Sequence, residues 1–182
     1  RVRYVGEPIA AIIAERPEDA MDAAELIEVD YVPRPVLVDP EVALESDICL
    51  FDGTAEGNVV VRLTAEGLEA DFSKCEVVAE VRTINNRLAP APLETRLGLA
   101  EWRDDDRLHH FNAGQGVHPV RAAIARVLGL ETDQVRVVSQ DVGGSFGAKG
   151  RPYPEEALLG WLSKRHGRPM RWVPPRSDDM VG

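Results

Sequence analysis

The sequence predicts a mixed α/β fold on three observations: apolar and β-branched runs of strand length, helical patterns opened by Pro and closed by Gly, and a hairpin signal midway along the chain. With 182 residues, the chain can bury a core as one domain or as two small ones. Its 44% apolar and 29% charged content is ordinary for a globular protein.

The first elements read as strand, helix and strand. Residues 2–14 favour a strand, interrupted at Gly6-Glu7-Pro8, and Ile9-Ala10-Ala11-Ile12-Ile13 is apolar on both faces, as in a strand covered on both sides. Pro17 suits the first position of a helix whose small apolar face is Ala20, Ala23, Ala24 and Ile27. Ile27, Val29 and Tyr31 then alternate with Glu28 and Asp30 like a half-buried strand, which Pro33-Arg34-Pro35 ends. Residues 1–45 form this first part. From 46 to 74 the periodicity weakens and turn formers gather in Phe51-Asp52-Gly53-Thr54-Ala55-Glu56-Gly57-Asn58, which marks a connecting segment with a domain boundary in it.

Residues 75–182 make the second part. Val77, Ala79, Val81 and Thr83 alternate as a strand, and a hairpin follows with arms Gly98-Leu99-Ala100-Glu101-Trp102 and Leu108-His109-His110-Phe111 around an Asp104-Asp105-Asp106 turn. A helix starts near Pro119, carries the stripe Val120, Ile124, Val127 and Leu128, and ends at Gly129. After Thr132-Asp133 comes the strand Val135-Arg136-Val137-Val138. A last helix from Pro154 to Arg165 turns Ala157, Leu158, Trp161 and Leu162 inward and stops at Gly167, before a final strand at Met170-Arg171-Trp172-Val173.

Charge excludes some partners. The net charge is −10 and the 21 basic residues are dispersed, which argues against nucleic acid and anionic membranes. No apolar run approaches the roughly 20 residues of a membrane span, and no leader pattern opens the chain. The opening Arg1-Val2-Arg3-Tyr4-Val5 reads as the middle of a sheet, so a piece of a longer cytoplasmic protein is expected. Cys49 and Cys75 lack metal-ligand spacing and read as two buried free thiols; no metal site is predicted.

Two loops can carry chemistry. Asp141-Val142-Gly143-Gly144-Ser145-Phe146-Gly147-Ala148-Lys149 directly follows a strand, and so many glycines are tolerated where φ is positive or where backbone approaches something closely. It is not a P-loop, because Ala148 precedes Lys149 and Gly150 follows it, nor a dinucleotide fingerprint, because Val142 stands where a glycine is required. Gly143-x-Ser145-x-Gly147 has the form of a nucleophile elbow, but the sole histidine downstream is His166, and Pro152 and Pro154 delay the following helix. A backbone cradle for an anion or polarised oxygen, covered on one side by Phe146, is the better physical reading beside a plain structural turn. In the second loop, Ala113-Gly114-Gln115-Gly116, an amide between two glycines is free to aim its N–H₂ at a ligand oxygen.

These residues, in this order, resemble the molybdopterin-binding large subunit of the molybdenum hydroxylases, the family of xanthine dehydrogenases, aldehyde oxidoreductases and aerobic carbon monoxide dehydrogenases. The matching stretches are Val2-Arg3-Tyr4-Val5-Gly6-Glu7-Pro8-Ile9-Ala10, Ala24-Glu25-Leu26-Ile27-Glu28-Val29-Asp30-Tyr31, Arg87-Leu88-Ala89-Pro90-Ala91-Pro92-Leu93-Glu94, Gly114-Gln115-Gly116 and 135–149. The resemblance implies that residues 1–45 close an α/β-hammerhead domain and that 75–182 open the first molybdopterin-binding domain. It implies that Gln115 acts in catalysis by donating a hydrogen bond to an oxo ligand of molybdenum, and that Gly116, Gly143, Gly144, Ser145, Phe146 and Gly147 lie against the molybdopterin cofactor, in its cytosine dinucleotide form. The family has glycine where Ser145 stands, so a side chain is expected at a position of positive φ. Gly150 stands where purine-oxidising members carry a substrate-binding glutamate, which argues against xanthine.

The implied chemistry is oxidative hydroxylation of an aldehyde, an N-heterocycle or carbon monoxide with water as oxygen source, with iron–sulfur and FAD subunits as electron partners and a homodimer left open. The family's catalytic glutamate lies outside this chain, so the isolated chain is expected to bind no cofactor and to be inactive. A cofactor-free scaffold module and a serine hydrolase built on Ser145 are the alternatives.

Overall fold

The computed structural model describes residues 1–51, 57–63 and 70–181, and the chain divides into two compact units, Arg1–Ile84 and Asn85–Gly182. In the first unit, α1 (Pro17–Glu25) starts at the expected proline, with Glu18 and Asp19 against its positive end. Of its expected apolar face, Ala20 and Ala23 are half-buried and Ile27 lies beyond the helix. A second helix, α2 (Pro40–Glu45), was not anticipated, although its signal is present. The Asp39 carboxylate accepts the N–H groups of Glu41 and Val42 at 2.8 and 3.1 Å, and Pro40 occupies the first turn. Asn58 ties this region together, donating to the carbonyls of Ala43 (2.9 Å) and Ile48 (2.8 Å) while accepting from the Leu50 N–H at 3.0 Å.

The strands expected at 2–14, 27–31 and 77–83 do not form among the described residues. Alternation in sequence makes a strand only when a neighbour completes the ladder, and Ile27, Val29 and Tyr31 stay exposed without one. The two cysteines are free, as expected, but not buried: Cys49 is half-buried and Cys75 exposed. Residues 52–56 of the expected turn cluster lie outside the described residues.

The second unit is built on a mixed four-stranded sheet. Its strands are β1 (Gly98–Trp102), β2 (Leu108–Asn112), β3 (Val135–Val138) and β4 (Met170–Trp172), in the order β3-β2-β1-β4. β1 is antiparallel to β2 and β4, while β2 and β3 run parallel, in register from Leu108↔Val135 to Phe111↔Val138. The hairpin forms as predicted, with Asp106 at φ 54° in the turn. Helix α3 (Val117–Leu128) is the crossover between β2 and β3, and α4 (Pro154–His166) leads to β4; both end on left-handed glycines, Gly129 and Gly167. A last turn of helix, α5, spans Arg176–Asp179.

Ala100, Leu108, Val120, Ile124, Ala125, Val135 and Leu159 form the core. Two helix faces differ from the sequence reading. On α3, Ala125 is buried and Val127 is 65% exposed. On α4 the buried residues are Ala157, Leu159, Gly160 and Ser163, while Leu158 and Trp161 turn outward. Gly160 explains the rotation. A Cβ there would stand 2.7 Å from Leu108 Cδ2, and the Gly160 carbonyl accepts the Trp102 indole N–H at 2.9 Å, so the helix meets the sheet at its smallest residue. Among the described residues no helix is long and apolar enough to cross a membrane.

Candidate functional site

Because β2 and β3 are parallel neighbours, the chain leaves both at the same end of the sheet. The loop after β2 carries Gln115 into α3, and the loop after β3 carries the glycines. Three hydrogen bonds hold them together. The Gln115 N–H donates to the Lys149 carbonyl at 3.0 Å, and the Ser139 hydroxyl accepts from the Gly114 N–H (3.1 Å) and donates to the Gly114 carbonyl (3.2 Å). Gly116 is the N-cap of α3 with extended backbone, so Gln115 sits at that helix's positive end. Its exposed carboxamide makes no hydrogen bond among the described residues, and its Oε1 would lie 3.0 Å from a Cβ on Gly150.

The glycine loop is pinned from inside and open outside. Ser145 is buried, its Oγ accepting the Lys149 N–H at 3.0 Å, and Lys149 is buried as well. Phe146 and Gly147 face outward, with the Phe146 ring 79% exposed. Positive φ occurs at Gly144 (95°), Phe146 (52°) and Gly147 (97°) but not at Ser145, so the expected conflict between the serine side chain and its backbone does not arise. The Gly144, Ser145, Phe146 and Gly147 N–H groups donate to no partner among the described residues. Successive amides with alternating backbone handedness form a concavity that accepts anionic or polarised oxygen.

As a nucleophile Ser145 is poorly placed. Its hydroxyl is buried and already accepts a backbone N–H, no histidine hydrogen-bonds to it among the described residues, and α4 does not begin until Pro154.

Sequence reasoning missed the residues that hold the loop. Glu94 Oε2 accepts both the Gly143 N–H (2.9 Å) and the Lys149 ammonium (2.7 Å), and the Glu94 N–H donates to the Gly143 carbonyl at 3.1 Å. Burial pulls the Glu94 carboxyl upward, but the Lys149 ammonium and the Gly143 N–H outweigh it and hold the group below the usual glutamate range. A Cβ on Gly143 would stand 2.5 Å from Glu94 Cβ, and one on Gly144 would stand 3.2 Å from Pro92 Cβ. Glu94 and Lys149 both fall in stretches that carry the family resemblance, but nothing in their spacing ties one to the other. Tyr153 completes the support, donating its hydroxyl to the Ala148 carbonyl at 2.6 Å.

Beneath the loops lies a second polar cluster. Arg96 is buried, donates through Nε to Asp179 at 3.0 Å, and stacks on Tyr153 with its guanidinium carbon 4.0 Å from the ring centre. Asn112 donates to Glu156 at 2.8 Å, and burial raises the Glu156 pKa despite that bond.

The arrangement fits an oxygen-rich cofactor. Amides and a carboxamide that have no partner among the described residues lie on the two loops that leave the same end of the sheet. Comparison with known proteins agrees. The Molybdopterin cofactor-binding domain family matches residues 51–182. The chain is 35% identical to the 6-hydroxypseudooxynicotine dehydrogenase complex subunit gamma of Paenarthrobacter nicotinovorans, over 100% of this chain and 23% of that protein. It is 31% identical to the carbon monoxide dehydrogenase large chain of Afipia carboxidovorans, over 99% of this chain and 24% of that one. Quinoline 2-oxidoreductase from Pseudomonas putida 86 superposes with a TM-score of 0.86 at 34% identity, covering 99% of this chain and 23% of the larger one. The chain thus spans about a quarter of the length of the proteins it matches.

Proposed function

The chain belongs to the family of molybdopterin cofactor-binding domains, within the molybdenum hydroxylase large subunits, and we propose that it supplies one wall of the cofactor site of such an oxidoreductase. The observation that carries this is that the Gln115 carboxamide and four amides of the glycine loop, none of them partnered among the described residues, lie on the loops at the shared end of β2 and β3.

When bound, the cofactor supplies two-electron oxidation with water as the source of oxygen. The chain's own residues bind and orient it. The Gly144, Ser145, Phe146 and Gly147 N–H groups would donate to its oxygens, and the Phe146 ring would shield one side from water. The Gln115 N–H₂ would donate to one of its oxygens, and the α3 N-terminus would add positive potential beside it. Gly116 keeps the backbone close. Cytosine dinucleotide is the proposed form, with an aldehyde, an N-heterocycle or carbon monoxide as substrate and iron–sulfur and FAD subunits as electron partners. Residues 1–45 are assigned to the end of an α/β-hammerhead domain and 75–182 to the start of the first molybdopterin-binding domain. Turnover belongs to the parent enzyme rather than to this chain alone.

In the metal-loaded parent enzyme, Gln115→Ala is expected to lower kcat on the order of 10²–10³-fold while leaving the melting temperature unchanged. Unchanged kinetics at full molybdenum occupancy refute the assignment.

A further inference from the structure

We propose that Glu94 and Lys149 form a positioning pair that locks the glycine loop to the Gln115 loop, so that the cofactor-facing geometry of both depends on one contact between a half-buried carboxylate and a buried ammonium. This rests on the cofactor reading above.

Lys149 reaches three segments at once. Its carbonyl receives the Gln115 N–H at 3.0 Å, its own N–H is held by Ser145 Oγ at 3.0 Å, and its ammonium donates to Glu94 Oε2 at 2.7 Å. The lysine side chain is 2% exposed, and among the described residues Glu94 is its one ion-pair partner. Glu94 grips Gly143 from both sides, accepting its N–H and donating to its carbonyl. One carboxylate oxygen therefore connects the lysine under Gln115 to the first glycine of the cradle. A buried ammonium is retained only when well paired, and this pair lies where displacement of either member moves a loop rather than the core. Neither residue reaches the cradle's open face with a hydrogen bond, so both act through the backbone they hold.

The Gly143 amide reads the pair directly, because its N–H points at the shared carboxylate. In ¹H–¹⁵N spectra of the full chain, the Gly143 resonance is expected to titrate with Glu94 in the acid range, and Glu94→Gln is expected to abolish that titration. Lys149→Met should raise the midpoint and Lys149→Arg should leave it low, because the Lys149 ammonium is what holds the carboxyl below the usual glutamate range. Resonances of Gly144 and Gln115 should move with Gly143 in Lys149→Met. A Gly143 resonance that does not titrate in the parent chain, or one that titrates unchanged in Glu94→Gln, overturns the pair; both readings stand even where Lys149→Met fails to fold. Molybdopterin retained by the loaded parent enzyme is measured separately. Its absence refutes the cofactor reading while leaving the titration result intact, and a silent Gly143 refutes the pair whatever the cofactor content.

Discussion

His110 makes the second unit acid-sensitive. Its ring is fully buried in β2, neither nitrogen has a hydrogen-bond partner among the described residues, and burial lowers its pKa from 6.5 to about 4. The folded state therefore holds imidazole neutral where the unfolded chain would protonate it. The stabilisation is fully present above pH 6.5 and is lost as the pH falls toward 4. At 1.36 kcal/mol per pH unit, the whole window is worth about 3 kcal/mol and the part above pH 5 about 2 kcal/mol. That is a large share of the roughly 5–15 kcal/mol that holds a domain. Trp102, Trp161 and Trp172 all lie in the second unit, so urea denaturation followed by tryptophan fluorescence reports on the right part of the chain. The comparison is with His110→Leu, of similar volume and without a charge to gain. The variant should be near parental stability at pH 7.5, because replacing an unpartnered buried polar ring by an apolar group is close to neutral. It should gain about 2 kcal/mol relative to the parent by pH 5. Carboxylates titrate alike in both proteins and cancel, so a parent–variant difference that stays constant from pH 7.5 to 5 refutes the reasoning.

Other substitutions test the packing around the site. Gly160→Ala should destabilise by about 1–3 kcal/mol in the same denaturation assay, since the new methyl would stand 2.7 Å from Leu108 Cδ2 at the α4–sheet contact. Gly143→Ala and Gly147→Ala should differ in kind. The first drives a methyl into Glu94 Cβ and should perturb the Lys149 contact, seen as shifted Ser145 and Lys149 amide resonances. The second meets no atom within 4 Å and should cost only the backbone penalty at φ 97°, about 1–2 kcal/mol, read from urea melts. Asp179→Ala leaves the buried Arg96 guanidinium without its 3.0 Å partner and should lower stability by about 3–5 kcal/mol, measured by thermal or urea melting.

What the sequence made legible was local. Pro17, Pro154, Gly129 and Gly167 mark helix ends because proline and left-handed glycine act within one turn, and the Asp104-Asp105-Asp106 hairpin is a matter of a few residues. Gln115 and the glycine loop stood out for the same reason, as small residues around one functional group. Failures came where a distant partner decides. Residues 27–31 alternate correctly yet are unpaired among the described residues, and the Leu158–Trp161 face turns outward because Gly160 is where the sheet comes closest. Glu94 lies 49 positions from Gly143 and 55 from Lys149, and nothing in local spacing ties such residues together.

The topology explains why two loops so far apart in sequence serve one site. A hairpin alone would return the chain to the opposite end of the sheet, leaving Gln115 and the glycines separated. The α3 crossover instead lays β3 parallel to β2, and parallel neighbours in register deliver their following loops side by side. Proximity is then fixed by hydrogen bonds between loops, through Ser139 and Lys149, rather than by an apolar contact that would fill the space a ligand needs. The glycines follow from the same constraint. Gly143 and Gly144 lie where a Cβ would strike Glu94 or crowd Pro92, and Gly147 takes a positive φ, so the chain can turn tightly there. Ser145 is tolerated because its backbone avoids positive φ and its hydroxyl accepts the Lys149 N–H, which makes this side chain part of the loop's anchor while Phe146 faces outward.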